Sequence, residues 1–272
     1  MKRIPDTFHR LKNENRAAFV PYIMAGDPDL ATTERLLGVL ADLGCDAIEL
    51  GMPFSDPVAD GPVIQAAGLR ALKHPPSFSD IFAMIRRFRQ SHPHVPLVLM
   101  GYANPVYRYG TEMFCHEASH AGVDAMLLVD VPLEETEAFT HPALPLVPLI
   151  TPLTPKNRQA AIVASCHPDS FVYLVGRVGI TGNATVLSDT LKDLYKTVKK
   201  QSPVPVVLGF GIKTPHDIAH VAAFADGVVM GSAFVDLCAR TQPLFTGATL
   251  HPDVESFVFA CCKATHLFPE KG

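Results

Sequence analysis

Asp46–Pro62 reads DAIELGMPFSDPVADGP. An apolar run opens it and carries an acid, Glu49, in its interior. A loop pinned by Pro53, Pro57 and Pro62 follows at once and adds two more carboxylates, Asp56 and Asp60. A short apolar run without polar alternation is the pattern of a strand covered on both faces, as in a parallel sheet. Seven further runs of this kind recur along the chain: Ala18–Ala25, Pro96–Tyr102, Asp124–Asp130, Leu146–Ile150, Phe171–Gly176, Val204–Gly209 and Gly227–Gly231.

Helical patterns fill the intervals. In LATTERLLGVLADLG, Leu36, Leu37, Leu40 and Leu43 form one apolar stripe, with Pro28 suited to the helix start and Gly44 to its end. SFSDIFAMIRRFRQ and SDTLKDLYKTVKK carry similar stripes, and the second-to-third strand interval holds two helical patterns parted by His74-Pro75-Pro76-Ser77. PDTFHRLKNEN reads as an extra helix before the first strand. Eight strand–helix units without a linker-like shift in composition predict an α/β fold, a (β/α)8 TIM barrel with an extra N-terminal helix, spanning residues 1–272 as one domain. A doubly wound open sheet shares the alternation and is the second choice.

With 272 residues, 48% of them hydrophobic and 18% charged, the chain has the means to bury a large core and little tendency to disorder. A net charge of -4 gives no footprint for nucleic acid, and Lys199-Lys200 is too short a basic run for a membrane anchor. MKRIPDTFHRLKNEN lacks the apolar stretch of a signal peptide, and no membrane span is expected. Six cysteines without a C-x-x-C pair read as reduced, mostly buried thiols. The expected location is cytoplasmic.

In such a barrel, reactive groups come from the C-terminal strand ends and the loops after them. Glu49 then lies at the mouth of the second strand, where apolar neighbours raise its pKa and suit it to general acid/base work. Asp60 follows in a loop long enough to fold back over the mouth. Asp56 is either a third such acid or a turn cap. The glycine turns Arg177–Gly182, Gly209-Phe210-Gly211-Ile212 and Gly231-Ser232-Ala233 follow strands six, seven and eight, where barrel proteins bind phosphate with backbone N–H groups. Tyr22, Met100, Tyr102, Leu127, Val129, Tyr173 and Phe210 fall at strand mouths. Singly they read as barrel filling; together they are able to wall a flat aromatic ligand.

His116-Glu117-Ala118-Ser119-His120 matches the H-E-x-x-H zinc motif in form only. Met113, Phe114, Ala118 and Ala121 would be the buried stripe of that helix, turning both histidines outward on the outer ring, so no metal site is expected. Ser55 lacks the G-x-S-x-G elbow of a serine hydrolase.

Across IELGMPFSDPVADGPVIQAA the sequence closely resembles the alpha chain family of tryptophan synthase. The likeness continues through FVPYIMAGDP, YANPVYRYG, VDVPLEE, RVGITG, VLGFGIKTP and ADGVVMGSA, nearly the whole chain. The resemblance implies a lyase that cleaves indole-3-glycerol phosphate by a retro-aldol reaction to indole and glyceraldehyde 3-phosphate, late in tryptophan biosynthesis. It gives Glu49 the work at the glycerol hydroxyl and indole C3, and Asp60 the charge at the indole nitrogen. The family's indole pocket and tyrosine fall on Tyr22, Met100, Leu127, Val129, Tyr173 and Phe210, and its phosphate ligands on Gly182, Gly211, Gly231 and Ser232. Thr181 matches the threonine that meets Asp60 when the sixth loop closes. The resemblance further implies a beta-chain partner in an alpha2beta2 heterotetramer, with Asp56 in the signalling loop. It implies no cofactor in this chain and pyridoxal phosphate in the partner. The chain departs from the family at Gly176, where serine is common, and at Asn183-Ala184-Thr185, where many relatives carry Ala-Arg. Those departures lie beside the closing loop. They frame an alternative in which the chain chiefly activates the beta chain.

Overall fold

In a computed structural model, residues 2–176, 189–209 and 211–266 are described. Eight strands form one sheet: β1 (Ala18–Met24), β2 (Ile48–Gly51), β3 (Leu97–Gly101), β4 (Ala125–Leu128), β5 (Leu149–Ile150), β6 (Val172–Val175), β7 (Val206–Gly209) and β8 (Gly227–Met230). They run in the order β4-β3-β2-β1-β8-β7-β6-β5, every pairing parallel. The seam between β4 and β5 is held by a single parallel bridge, Met126 to Leu146. The result is a (β/α)8 barrel.

Strand β5 is shorter than its apolar run predicts. Pro145 and Pro148 have no N–H to give, so they serve the ladder only as acceptors, for Met126 N–H at 2.9 Å and Tyr173 N–H at 2.9 Å.

The helices are α1 (Arg3–Asn13), α2 (Leu30–Asp42), α3 (Pro62–Ala71), α4 (Phe78–Ser91), α5 (Ala103–Tyr109), α6 (Thr111–Ala121), α7 (Lys156–Ala164), α8 (Asp189–Gln201), α9 (Pro215–Ala222), α10 (Ser232–Arg240) and α11 (Pro252–Ala264). A 3-10 helix, Leu133–Phe139, follows β4. Helix α2 begins two residues later than Pro28 suggests, because Asp29 is its cap: the extended Asp29 accepts the Thr32 N–H at 2.7 Å. Helix α4 opens on a capping box of Ser77 and Asp80, directly after the His-Pro-Pro breaker. A small hairpin, β9 (Phe245–Thr246) with β10 (Thr249–Leu250), turns through Gly247 at φ +57°; nothing in the apolar patterning announces it.

Side chains alternate along each strand between two buried populations. One faces the helices and includes Phe19, Ile48, Leu50, Leu99, Met126, Leu174, Leu208 and Val228. The other fills the barrel and includes Ala18, Val20, Ala47, Val98, Ala125, Leu127, Tyr173, Val207 and Val229. Ile4, Phe8 and Leu11 of α1 join the interior population, so the extra helix plugs the N-terminal end, with the Phe8 ring 6.1 Å from that of Phe171.

At this closed end three aspartates tie adjacent strands together. Asp46 accepts the Phe19 N–H at 3.0 Å, Asp124 the Leu97 N–H at 2.8 Å, and Asp226 the Val206 N–H at 2.8 Å. Before β6 the same position holds Ser170, which donates to the Leu146 carbonyl at 3.0 Å. Each acid also has a cation: Arg16 for Asp46, Arg3 and Arg89 for Asp124, and Lys199 for Asp226. Fixed at one end in this way, the barrel leaves the opposite end free for loops.

Candidate active site

Glu49 is the central residue of the open end. It sits on β2 facing inward, its Cα paired with Tyr22 of β1 on one side and Val98 of β3 on the other. It is 2% exposed. Burial pushes its pKa from 4.5 up to about 8, and the nearby negative charge of Asp60 adds to the rise. Glu49 is therefore an acid that holds its proton at neutral pH.

Asp60 reaches the same space from the loop after β2. The loop folds on itself through Val58 N–H to Asp56 C=O at 3.0 Å and Asp60 N–H to Pro57 C=O at 3.3 Å. It is anchored from β3: the Ala59 N–H donates to the Tyr102 hydroxyl at 3.1 Å, and the Phe54 ring lies 5.3 Å from the Tyr102 ring. Asp60 is half-buried. Burial raises its pKa, and the Tyr102 hydroxyl works in the opposite direction by favouring the carboxylate. The two acids thus feel one another, Glu49 being buried more deeply than Asp60.

Two tyrosines complete the walls, and each needs a glycine. A Cβ on Gly51 would stand 1.9 Å from the Tyr22 hydroxyl, and one on Gly209 would stand 2.0 Å from the Tyr173 hydroxyl. Both rings therefore lie across the inner ends of neighbouring strands, a path open only where no side chain stands. Glu49 is the first charge to raise the Tyr173 hydroxyl's pKa after burial itself, which puts that ring at the same centre. Met100, Leu127 and Val129 join the barrel-facing population beside them.

The adjacent ends of β7 and β8 carry the glycine turns. Gly211 takes φ +37° with open space where a Cβ would be, and Gly231 caps α10, whose first residue is Ser232. The point where a Cβ would leave Gly231 lies 3.8 Å from the Tyr22 Cβ, so this turn borders the aromatic wall. Backbone N–H groups at a helix start beside a glycine turn suit an anion. Thr181, Gly182, the rest of Arg177–Gly182, Asn183–Thr185 and Phe210 lie outside the described residues. Gly176 keeps its ladder place, its N–H donating to the Gly209 C=O at 3.3 Å.

Asp56 is exposed and accepts a hydrogen bond from the Ser55 hydroxyl, while its neighbour Val58 is 84% exposed. The loop thus shows Asp56 and Val58 to solvent while Asp60 is half-buried. A cavity of about 590 Å³ opens between the end of β4, the segment Pro145–Leu149 and α7. Of the predicted site residues it touches only Val129, so it is not the acid site.

His116 and His120 are exposed side by side on α6, ring centroids 4.1 Å apart, away from the mouth. The buried stripe of α6 is Phe114, Cys115, Ala118 and Ala121. Met113, expected within it, is 58% exposed, because the helix register gives that place to Cys115. Among the described residues no group of three or more His, Cys, Asp or Glu side chains could hold a metal ion, and no helix is long and apolar enough to cross a membrane.

The sequence reading did not find the seating role of Gly51 and Gly209. Its available signal was a glycine ending an apolar strand run, which marks close approach by another group.

The sequence model described as "Tryptophan synthase alpha chain" matches residues 8–250. A tryptophan synthase alpha chain of Pelobacter propionicus is 45% identical over 262 residues, 95% of this chain and 96% of that relative. One from Geobacter sulfurreducens is 45% identical over 268 residues, covering 97% and 99%. The crystal structure of the tryptophan synthase alpha subunit of Legionella pneumophila strain Paris superposes with a TM-score of 0.84 at 36% identity, covering 97% of this chain and 98% of that one. Agreement in sequence, length and fold leaves one assignment: the chain belongs to the tryptophan synthase alpha chain family.

Proposed function

We propose that this chain is the lyase of the alpha reaction, cleaving indole-3-glycerol phosphate to indole and glyceraldehyde 3-phosphate, with Glu49 and Asp60 as its catalytic pair. The observation that supports the pair most directly is their shared inward setting, one acid fully buried and protonated, the other half-buried and anchored by Tyr102. The chemistry asks for two different acids. Indole departs from carbon only after C3 is protonated, and that step leaves positive charge on the ring nitrogen. A carboxylate beside the nitrogen stabilises that charge. The protonated Glu49 supplies the C3 proton. Its resulting carboxylate then accepts the proton of the glycerol hydroxyl as the carbon–carbon bond breaks and the aldehyde forms. Glu49 ends the cycle protonated, as it began, so proton bookkeeping closes on one residue.

Tyr22, Met100, Tyr102, Leu127, Val129, Tyr173 and Phe210 would enclose the indole, while Gly182, Gly211, Gly231 and Ser232 would hold the phosphate by backbone N–H groups and one hydroxyl. Thr181 would meet Asp60 as the sixth loop closes. Residues 1–272 act as one barrel domain in the cytoplasm. The partner is a beta chain that carries pyridoxal phosphate, in an alpha2beta2 assembly, with the exposed Asp56 on the loop that reports to it.

The test is indole release from indole-3-glycerol phosphate, with and without beta chain. Glu49→Gln is expected to abolish it while leaving activation of the beta chain's own indole-plus-serine reaction in place. Cleavage persisting at the parental rate in Glu49→Gln would overturn the assignment. A parent that activates beta but releases no indole would favour the regulatory alternative.

A further inference from the structure

Tyr22 carries a hydroxyl that the barrel does not need for packing. The residue is 5% exposed, its ring runs over Gly51, and its Cα pairs with that of Glu49. Among the described residues the one hydrogen bond of this hydroxyl goes to the Met24 sulfur at 3.8 Å, and a thioether is a weak acceptor. A buried hydroxyl so poorly partnered costs stability, and phenylalanine would fill the same space without that cost. Its surroundings are acidic. After burial, the charges that act on it are Asp60 first, then Glu49, then Tyr102 and Asp27, all opposing its ionisation, so it stays a donor.

We propose that Tyr22 is a positioning residue for the cleavage, its hydroxyl exchanging the weak Met24 contact for the Asp60 carboxylate when substrate fills the site and so fixing that acid against the indole nitrogen. This rests on the reading of Glu49 and Asp60 given above. Tyr102 anchors the Asp60 loop from the β3 side through Ala59. Tyr22, on β1, would hold the same acid from the opposite side. A carboxylate gripped between two phenols has one orientation rather than several, and orientation is what charge stabilisation at a single ring nitrogen requires. A hydrogen bond donated to a carboxylate also favours its charged form, the form this role needs.

The experiment compares the parent with Tyr22→Phe, assembled with beta chain, following indole release across pH. The expected result is a fall in kcat of roughly tenfold with KM changed less than about twofold, and an acid limb of the kcat profile moved up by roughly one pH unit, the worth of one charged hydrogen bond. A carbon-13 titration of the Asp60 carboxyl, with indole and inorganic phosphate present, should show the same upward shift without relying on turnover. Unchanged kcat together with an unmoved Asp60 titration would overturn the proposal. So would a loss confined to KM, or a Tyr22→Phe chain markedly less stable in urea, since either makes the hydroxyl a packing group. Glu49→Gln run in parallel separates the two readings. If it retains parental cleavage, the catalytic pair fails as an assignment whatever Tyr22→Phe does, and the Asp60 titration still decides whether Tyr22 holds that acid.

Discussion

Replacing Glu49 by glutamine should stabilise the protein, and increasingly so as the pH rises. Native Glu49 holds its proton up to about 8, while in the unfolded chain the same carboxyl releases it near 4.5. Between those limits the folded state carries one more proton than the unfolded state, so parental stability falls with pH across that window. The span is roughly three and a half units, and at about 1.4 kcal/mol per unit the loss is on the order of 5 kcal/mol. Glutamine has nearly the same shape and nothing to ionise, so the variant escapes the loss. Urea unfolding at pH 5 and pH 8, on parent and Glu49→Gln alike, reads it out. Any packing difference between the side chains is common to both pH values and cancels. The expected outcome is a stability advantage for Glu49→Gln that is several kcal/mol larger at pH 8 than at pH 5, in a variant without lyase activity. An advantage equal at the two pH values would refute the reasoning, because it would mean that native Glu49 ionises like an ordinary carboxyl.

Asp60→Asn should lower kcat by about 10²- to 10³-fold with little change in KM, since it removes charge that matters only as the nitrogen becomes positive; steady-state kinetics of indole release check this. Gly51→Ala, which drives a methyl group into the Tyr22 hydroxyl, should cost about 1–3 kcal/mol in denaturant unfolding and weaken substrate binding as well. Phe8→Ala, by emptying the plug beneath Phe171, should cost about 3–5 kcal/mol in the same measurement while kcat stays at the parental value.

Much of the barrel was legible in the sequence because its strands are covered on both faces. Burial on two sides removes polar alternation, and each apolar run from Ala18–Ala25 to Gly227–Gly231 encloses an observed strand. Boundaries were less legible, since an apolar residue at a strand end looks the same whether or not its N–H is paired. The prolines around β5 are the clearest case, visible as letters but decisive only once their partners are known. Glu49 stood out because an acid in a doubly buried run demands a reason. The glycine seats did not stand out: what makes Gly51 necessary is a hydroxyl on a different strand, and no local pattern encodes that contact. The aspartates before β2, β4 and β8 were missed as a repeat for a related reason. Their shared task, holding the preceding strand's N–H, appears only when adjacent strands are viewed together.

Helix α1 has a consequence for how the chain is made. It is synthesised ahead of every strand, yet its cup includes Phe171 at the start of β6, and its Lys2 pairs with Asp169 at 2.9 Å. Throughout translation of the first four strands, Ile4, Phe8 and Leu11 therefore have only part of their eventual shelter. A nascent chain halted before Phe171 would carry this helix half-clothed, until arrival of the sixth strand gives it somewhere to rest.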